Sequence, residues 1–218
     1  MKSLADIRRE YHCDSLNRNQ LDADPFRQMQ LWLEQASEAQ LKDATAMTLA
    51  TSDNNNLPDA RIVLLKQLDE RGFCWYTDYS SHKGQQLAHN PQACLLFHWR
   101  ELDRQVRVQG QVEKINGTEA DQYFASRPLQ SRLSAAASSQ SQAIASRSEL
   151  EAKVAQLQQQ YDDHVPRPAD WGGYRLLPTS FEFWQGRENR LHDRFSYNRS
   201  EVNTDQTDSH WLISRLQP

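Results

Sequence analysis

Apolar residues along the chain follow two periods, and the switch between them organises the molecule. Phe26, Met29, Leu33 and Ala36 recur at helical spacing behind Asp24-Pro25, an N-cap followed by a proline at the first helical position. An amphipathic helix is predicted over 25–41. From residue 45 the spacing shortens. TAMTLATS (45–52), ARIVLLKQ (60–67), GFCWYT (72–77), QACLLFHW (92–99) and DRQVRVQGQVEKI (103–115) are rich in β-branched and aromatic residues. Turn formers such as Asp53-Asn54-Asn55-Asn56 separate them. Five strands with short links predict an antiparallel barrel or sandwich.

Helical signals then interrupt the β pattern. A short helix is predicted over 80–90, before Asn90-Pro91, and another from Gly117-Thr118 to about Arg127, where Pro128 disfavours continuation. Residues 131–147 (SRLSAAASSQSQAIASR) read by composition as a flexible loop. Ser148-x-x-Glu151 is a capping-box pattern that opens a helix to about residue 162. Strands return at 179–185, 192–199 and 210–216. The first 20 or so residues are polar and read as an N-terminal arm. With no repeat and no dividing linker, residues 1–218 form one domain, mainly β with peripheral helices, in which 170–218 complete the β structure.

Composition narrows the function. Lys+Arg number 25 against 29 Asp+Glu, a formal charge of -4, so no global basic field draws the chain to nucleic acid. No apolar run approaches the ~18 residues that would span a bilayer, and the N-terminus lacks a secretory pattern. Three cysteines without a C-x-x-C fit a reducing, cytoplasmic setting. Seven scattered histidines give no metal motif, and seven glycines form no phosphate-cradling loop. Any phosphate must therefore be held mainly by side chains.

Several stretches offer such side chains. Arg61 and Lys66 bracket four aliphatics but would face opposite sides of a regular strand, as snorkelling end charges also do. Thr77, Ser80, Ser81, His82 and Lys83 lie at a strand-to-helix junction, where an N-cap or an anion site would both fit. Tyr123 and Arg127, at i and i+4, could converge with Ser131 on one phosphate. Gln105 alternates outward from Val106 and can offer donor and acceptor to a polar ring edge. The densest stretch is FEFWQGRENRLHDRF (181–195). There Arg190, His192 and Arg194 fall at period two beside Trp184, and such a strand face suits bound anions better than bare solvent.

In order along the chain, RREY (8–11), RIVLLK (61–66), WYT (75–77), SHK (81–83), DRQVRVQG (103–110), YFASRP (123–128), QS (140–141), WGGYR (171–175) and FWQGRENRLHDRF (183–195) resemble the pyridoxine/pyridoxamine 5′-phosphate oxidase family. The resemblance implies an FMN-binding split β-barrel, homodimeric, with FMN at the subunit interface. It places Arg61, Ile62, Val63, Leu64, Leu65, Lys66, Tyr76, Thr77, His82, Lys83, Gln105, Gln140, Ser141, Trp184 and Arg194 on FMN-contacting positions. Lys66, Tyr123, Arg127 and Ser131 fall on positions that hold the substrate phosphate. Arg190, Leu191 and His192 fall beside the pyridine ring, with Arg190 and His192 in the catalytic roles. Arg8, Arg9, Glu10 and Tyr11 form an arm able to close over it.

The implied activity is oxidation of pyridoxine and pyridoxamine 5′-phosphates to pyridoxal 5′-phosphate. Dioxygen is the acceptor, and hydrogen peroxide is released. The chain departs from the family pattern at His82, where arginine is usual, at Ser134–Ser138, which lacks a tryptophan, and in a long 200–210 turn. The competing readings are a split-barrel flavoprotein with another substrate, which need not keep Tyr123, Arg127, Ser131, Arg190 and His192 together, and a non-catalytic flavin or pyridoxal phosphate binder.

Overall fold

The computed structural model describes residues 3–4, 9–11, 14–200 and 211–218. Arg8 and the 201–210 turn lie outside them. The described strands are β1 (Ala46–Ser52), β2 (Pro58–Leu64), β3 (Gln67–Asp69), β4 (Gly72–Asp78), β5 (Gln92–Trp99), β6 (Arg104–Lys114), β7 (Trp171–Gln185), β8 (Asp193–Arg199) and β9 (Trp211–Leu216). They form one sheet in the order β2-β1-β5-β6-β7-β4-β3, with β8 on β7 and β9 on β8. The two ends of that order, β2 and β3, are neighbours in the chain. Leu65 N–H donates to Thr45 O (2.9 Å) and Lys66 N–H to Cys74 O (2.8 Å), so two residues stitch one edge to the other. The sheet therefore curls into a barrel with a seam at residues 65–66, the mainly β split barrel that the resemblance implied.

Alternation fills the barrel. Met47, Leu49, Leu95, Phe97, Val106, Val108, Phe181, Phe183 and Phe195 point inward and are buried, and α1 (Pro25–Glu38) adds Met29, Trp32 and Ala36. Asp24 caps that helix by accepting from Phe26 N–H at 2.9 Å. Each large side chain withdrawn from water contributes roughly 1.5–3 kcal/mol. The opposite face of the sheet is largely polar and only partly exposed. Ile62, Thr48, Leu96, Arg107, Glu182 and Ser196 lie in register across β2, β1, β5, β6, β7 and β8. Ile62 is 65% exposed on the edge strand, and Leu64 is exposed beside it.

Strand β7 departs from the expected 179–185 and starts at Trp171. Its first half pairs with β4, its second half with β8, and β6 runs along its other side. Pro178 reads as a breaker, but it sits at a register shift: Gln109 faces Ser180 while Gly110 faces Pro178, leaving Thr179 extra. A bulge tolerates a residue without an N–H.

The helices are α1, α2 (His82–His89), α3 (Gly117–Ser126), α4 (Leu129–Ala137) and α5 (Arg147–Tyr161). Two expectations need correction. Residues 131–137 continue α4 rather than a loop, because Leu133 is fully buried against a cluster with Phe124, Val165 and Trp171. The cap of α5 is Ser146, whose hydroxyl accepts from Glu149 N–H at 3.1 Å, not Ser148.

Candidate active site

The barrel seam opens into a cleft of 730 Å³. Four chain segments that are remote in sequence meet there: the edge strand with residue 66, the β4–α2 junction, α3–α4 with the following loop, and the start of β7. Arg61, Ile62, Val63, Leu64, Lys66, Tyr76, Thr77, His82, Lys83, Tyr123, Arg127, Ser131, Gln140 and Ser141 all line it. The objection that Arg61 and Lys66 face apart dissolves, because β2 ends at Leu64 and Lys66 lies in the seam. An edge strand can also present both faces to one cleft. Leu65 is the exception within its stretch, buried in the core rather than lining the cleft.

One side of the cleft is a network around Lys83. Gly84 allows α2 to start close against Tyr79, whose carbonyl oxygen would lie 2.1 Å from an added Cβ. The Lys83 ammonium, 8% exposed, donates to Thr77 Oγ1 (3.0 Å), Ser81 Oγ (3.1 Å) and Gln140 Oε1 (2.6 Å). All three donors thus meet neutral oxygens. Burial, then the nearby Arg61 charge, pushes its pKa down to about 8. Arg61 is held by Leu49 O (3.0 Å), Thr51 Oγ1 (2.6 Å) and Asp59 (2.5 Å). The 138–146 loop docks here: Gln140 N–H donates to Asp78 Oδ2 (3.1 Å) and His82 N–H to Ser141 Oγ (3.3 Å).

Facing this network are Tyr123, Arg127 and Ser131. Tyr123 stacks on Tyr76 with ring centroids 3.6 Å apart. Burial lowers the pKa of Arg127, and its Nη1 is buried without a hydrogen-bond partner. A buried guanidinium nitrogen with nothing to donate to is the mark of a missing acceptor. The cleft can hold two anionic groups, one near each cationic set.

The remaining sequence candidates gather elsewhere. Gln105, Trp184 and Arg194 form one cross-strand row on the outer face. Arg194 Nε donates to Glu182 Oε1 at 2.8 Å, and Glu182 also pairs with Arg107. Arg190, His192 and Arg194 do not share a strand face. Asn189 and Arg190 take left-handed φ values of 56° and 63° in a 3-10 turn, and β8 begins only at Asp193. His192 packs on Trp184 (4.7 Å) and Tyr11 (5.1 Å), with Arg190 over the Tyr11 ring at 5.4 Å. Its Nδ1 accepts from Arg187 N–H at 3.1 Å, which leaves the ring proton on Nε2. Burial and the Arg190 charge lower its pKa, favouring the neutral ring. Arg9 pairs with Asp103 at 2.5 Å, and Glu10 beside it is exposed. Leu191 is 69% exposed.

Sequence reasoning did not single out Asp59, Asp78 or Trp171. Asp78 accepts from Ser80 N–H and Oγ, both at 2.7 Å, an Asx turn that DYSS spells out. Nothing in the local sequence signals the cleft role of Trp171.

Two family models match: pyridoxamine 5′-phosphate oxidase over residues 33–161, and pyridoxine 5′-phosphate oxidase C-terminal dimerisation region over 171–218. Proteins named pyridoxine/pyridoxamine 5′-phosphate oxidase from Paraburkholderia phytofirmans and Trichormus variabilis are 53% and 50% identical, covering all of this chain and 100% and 99% of theirs. Among solved structures, PhzG from Burkholderia lata, in complex with tetrahydrophenazine-1-carboxylic acid, superposes with a TM-score of 0.87 at 29% identity, covering 94% of this chain and 99% of that one. A pyridoxamine 5′-phosphate oxidase-related, FMN-binding protein from Nostoc punctiforme has the same fold (TM-score 0.70, 16% identity, 89% and 98% covered). Fold, cleft and full-length similarity agree: the chain belongs to the pyridoxamine 5′-phosphate oxidase family.

Proposed function

We propose that this chain is an FMN-dependent oxidase that converts pyridoxine and pyridoxamine 5′-phosphates to pyridoxal 5′-phosphate. Dioxygen is reduced to hydrogen peroxide, and the amine substrate consumes one water and releases ammonia. The observation that carries the reading is the unpartnered, buried Nη1 of Arg127, beside Tyr123 and Ser131 and across the cleft from a second cationic set. Two anion-ready groups in one cleft suit a phosphorylated cofactor and a phosphorylated substrate.

The residues present fit FMN. Arg61, His82, Lys83 and Ser141 would hold its phosphate, and Thr77 and Gln140 would place their polar groups along it. When bound, FMN supplies the two-electron acceptor for oxidation at the substrate C4′ carbon. Lys66, Tyr123, Arg127 and Ser131 fix the substrate phosphate and so orient the pyridine ring, an effect worth several kcal/mol when the reacting geometry is met. No cleft side chain is an obvious strong general base, so orientation outweighs proton transfer. In the second cluster, Arg190 covers the ring and the neutral His192 donates from Nε2 to a ring substituent.

That second cluster belongs with the cleft only if a second copy supplies it. Homodimerisation is supported by the match to a dimerisation region, and the exposed Ile62 and Leu64 on the edge strand offer an apolar seat. We place FMN at that interface. Cys74 and Cys94 are both free, which supports a cytoplasmic setting, and among the described residues no helix is long and apolar enough to cross a membrane. The test is anaerobic titration of the yellow protein with pyridoxine 5′-phosphate. Bleaching of the flavin, with peroxide formed on admitting air, is expected; a bound flavin that stays oxidised overturns the reading.

A further inference from the structure

Trp171 is the first residue of β7 and lies opposite Asp78, the last residue of β4. It is 7% exposed yet lines the cleft. The Arg127 guanidinium sits 4.7 Å from its ring centroid. Its ring is parallel to that of Tyr123 (0°, 6.3 Å) and nearly parallel to that of Tyr76 (13°, 5.6 Å). Phe124 meets it edge-on at 5.0 Å and fixes the indole plane. A second tie fastens the same pair of elements: Arg167 donates from Nη1 to Trp171 O and from Nε to Asp121 Oδ1 of α3, both at 2.6 Å.

These contacts answer a question that Arg127 raises. A desolvated guanidinium needs something to place it, and a carboxylate is the usual partner. The influences on Arg127 are burial and Tyr123, with no carboxylate among them. A carboxylate would cancel the charge and compete with an incoming phosphate. An aromatic face attracts the cation through its quadrupole and leaves every N–H free to donate.

We propose that Trp171 is the positioning residue of the substrate-phosphate clamp. It holds Arg127 and Tyr123 at their spacing without neutralising the arginine, and this rests on the function proposed above. Because Trp171 faces α3 and stands in register with Asp78 at the end of β4, it also keys the clamp to the strand that carries Thr77.

The test compares wild type, Trp171→Phe and Trp171→Leu. Affinities of the FMN-bound, oxidised protein for pyridoxal 5′-phosphate and for pyridoxal are measured by titration, alongside the Kd for FMN and steady-state kinetics. In wild type the phosphorylated ligand is expected to bind much more tightly than pyridoxal. Trp171→Leu is expected to lose about tenfold of that preference, and Trp171→Phe, which keeps an aromatic face, about threefold. The KM for pyridoxine 5′-phosphate should rise in parallel while kcat and the FMN Kd change little. A Trp171→Leu protein that keeps the full preference overturns the inference and leaves the proposed function standing. So does one that loses FMN and phosphate ligands together, since that marks a role in the fold alone. A wild-type protein with no preference for the phosphorylated ligand would instead remove the proposed function.

Discussion

Lys83 should make FMN binding depend on pH in a window where few groups titrate. Its ammonium is enclosed by three neutral oxygens, and burial with the Arg61 charge brings its pKa to about 8. A phosphate dianion placed beside it favours the charged form and returns the pKa toward the ordinary lysine value of ~10.4. Above pH 8 the empty site has lost that proton, so binding must take one up, and affinity falls about tenfold per pH unit. From pH 7 to pH 9.5 the Kd for FMN should rise about thirtyfold, or ~2 kcal/mol. The phosphate hardly blurs this, since with a second pKa of ~6 it is already about nine-tenths dianionic at pH 7. Quenching of FMN fluorescence measures the Kd at each pH. Lys83→Arg should give a flat profile, because arginine keeps its charge, and Lys83→Met a flat but weaker one. A wild-type curve parallel to that of Lys83→Arg would show that the lysine never loses its proton, and the reasoning would fail.

Arg127→Ala removes a charge-assisted phosphate contact worth ~1.5–3 kcal/mol, so KM for pyridoxine 5′-phosphate should rise about tenfold or more; an unchanged KM would count against the clamp. Arg190→Met should retain FMN, read from the absorbance ratio of purified protein, yet lower kcat sharply, and a near-normal kcat would sink its assigned role. Asp69 links Arg71 and Arg175, and Arg175 in turn reaches Glu119 of α3. Burial raises the Asp69 pKa, but the hydrogen bonds from Arg71 and Arg175 outweigh it and bring the value to about 2. The folded value lies below the unfolded ~3.9, so the stability is present above pH ~4 and is lost as pH falls toward 2. Urea titrations should find Asp69→Asn less stable by about 2 kcal/mol at pH 6, with the gap closing across that acid window.

What the chain announced about itself depended on the range of the interactions. Asp24-Pro25 capped a helix because capping is local, and most strands up to residue 115 were legible for the same reason; the one expected over 60–67 instead ends at Leu64, and a short β3 follows the seam. The strand expected from 179 starts earlier, at Trp171, and runs through Pro178, whose missing N–H is tolerated because the bulge at Thr179 removes the need for it. Period two placed Arg190, His192 and Arg194 on one face; two left-handed residues broke the period, which spacing alone does not reveal. Residues 131–137 looked slack because alanine and serine carry no pattern, whereas one buried residue, Leu133, decides their helix. The cleft joins residue 61 to residue 141, and no local rule reaches that far. Only the family resemblance grouped those positions in advance. The π face behind Arg127 was visible only as the first letter of WGGYR, with nothing local to assign it a role.

One strand carries both halves of the proposed site at its opposite ends. Trp171 stands at the clamp and Trp184 beside His192, and from residue 171 to residue 184, at ~3.3 Å per residue, β7 covers about 40 Å. An intact sheet holds those two ends of the strand apart. In the proposed dimer the groups at one end of each β7 must therefore serve the other copy, and defects become separable by allele. A chain disabled at Arg127 and a chain disabled at Arg190, each inactive alone, should form mixed dimers holding one fully wild-type site and one doubly damaged site. Random mixing makes half the dimers hybrids with one good site of two, so co-expression should restore about a quarter of wild-type activity, while two copies of either defect restore none.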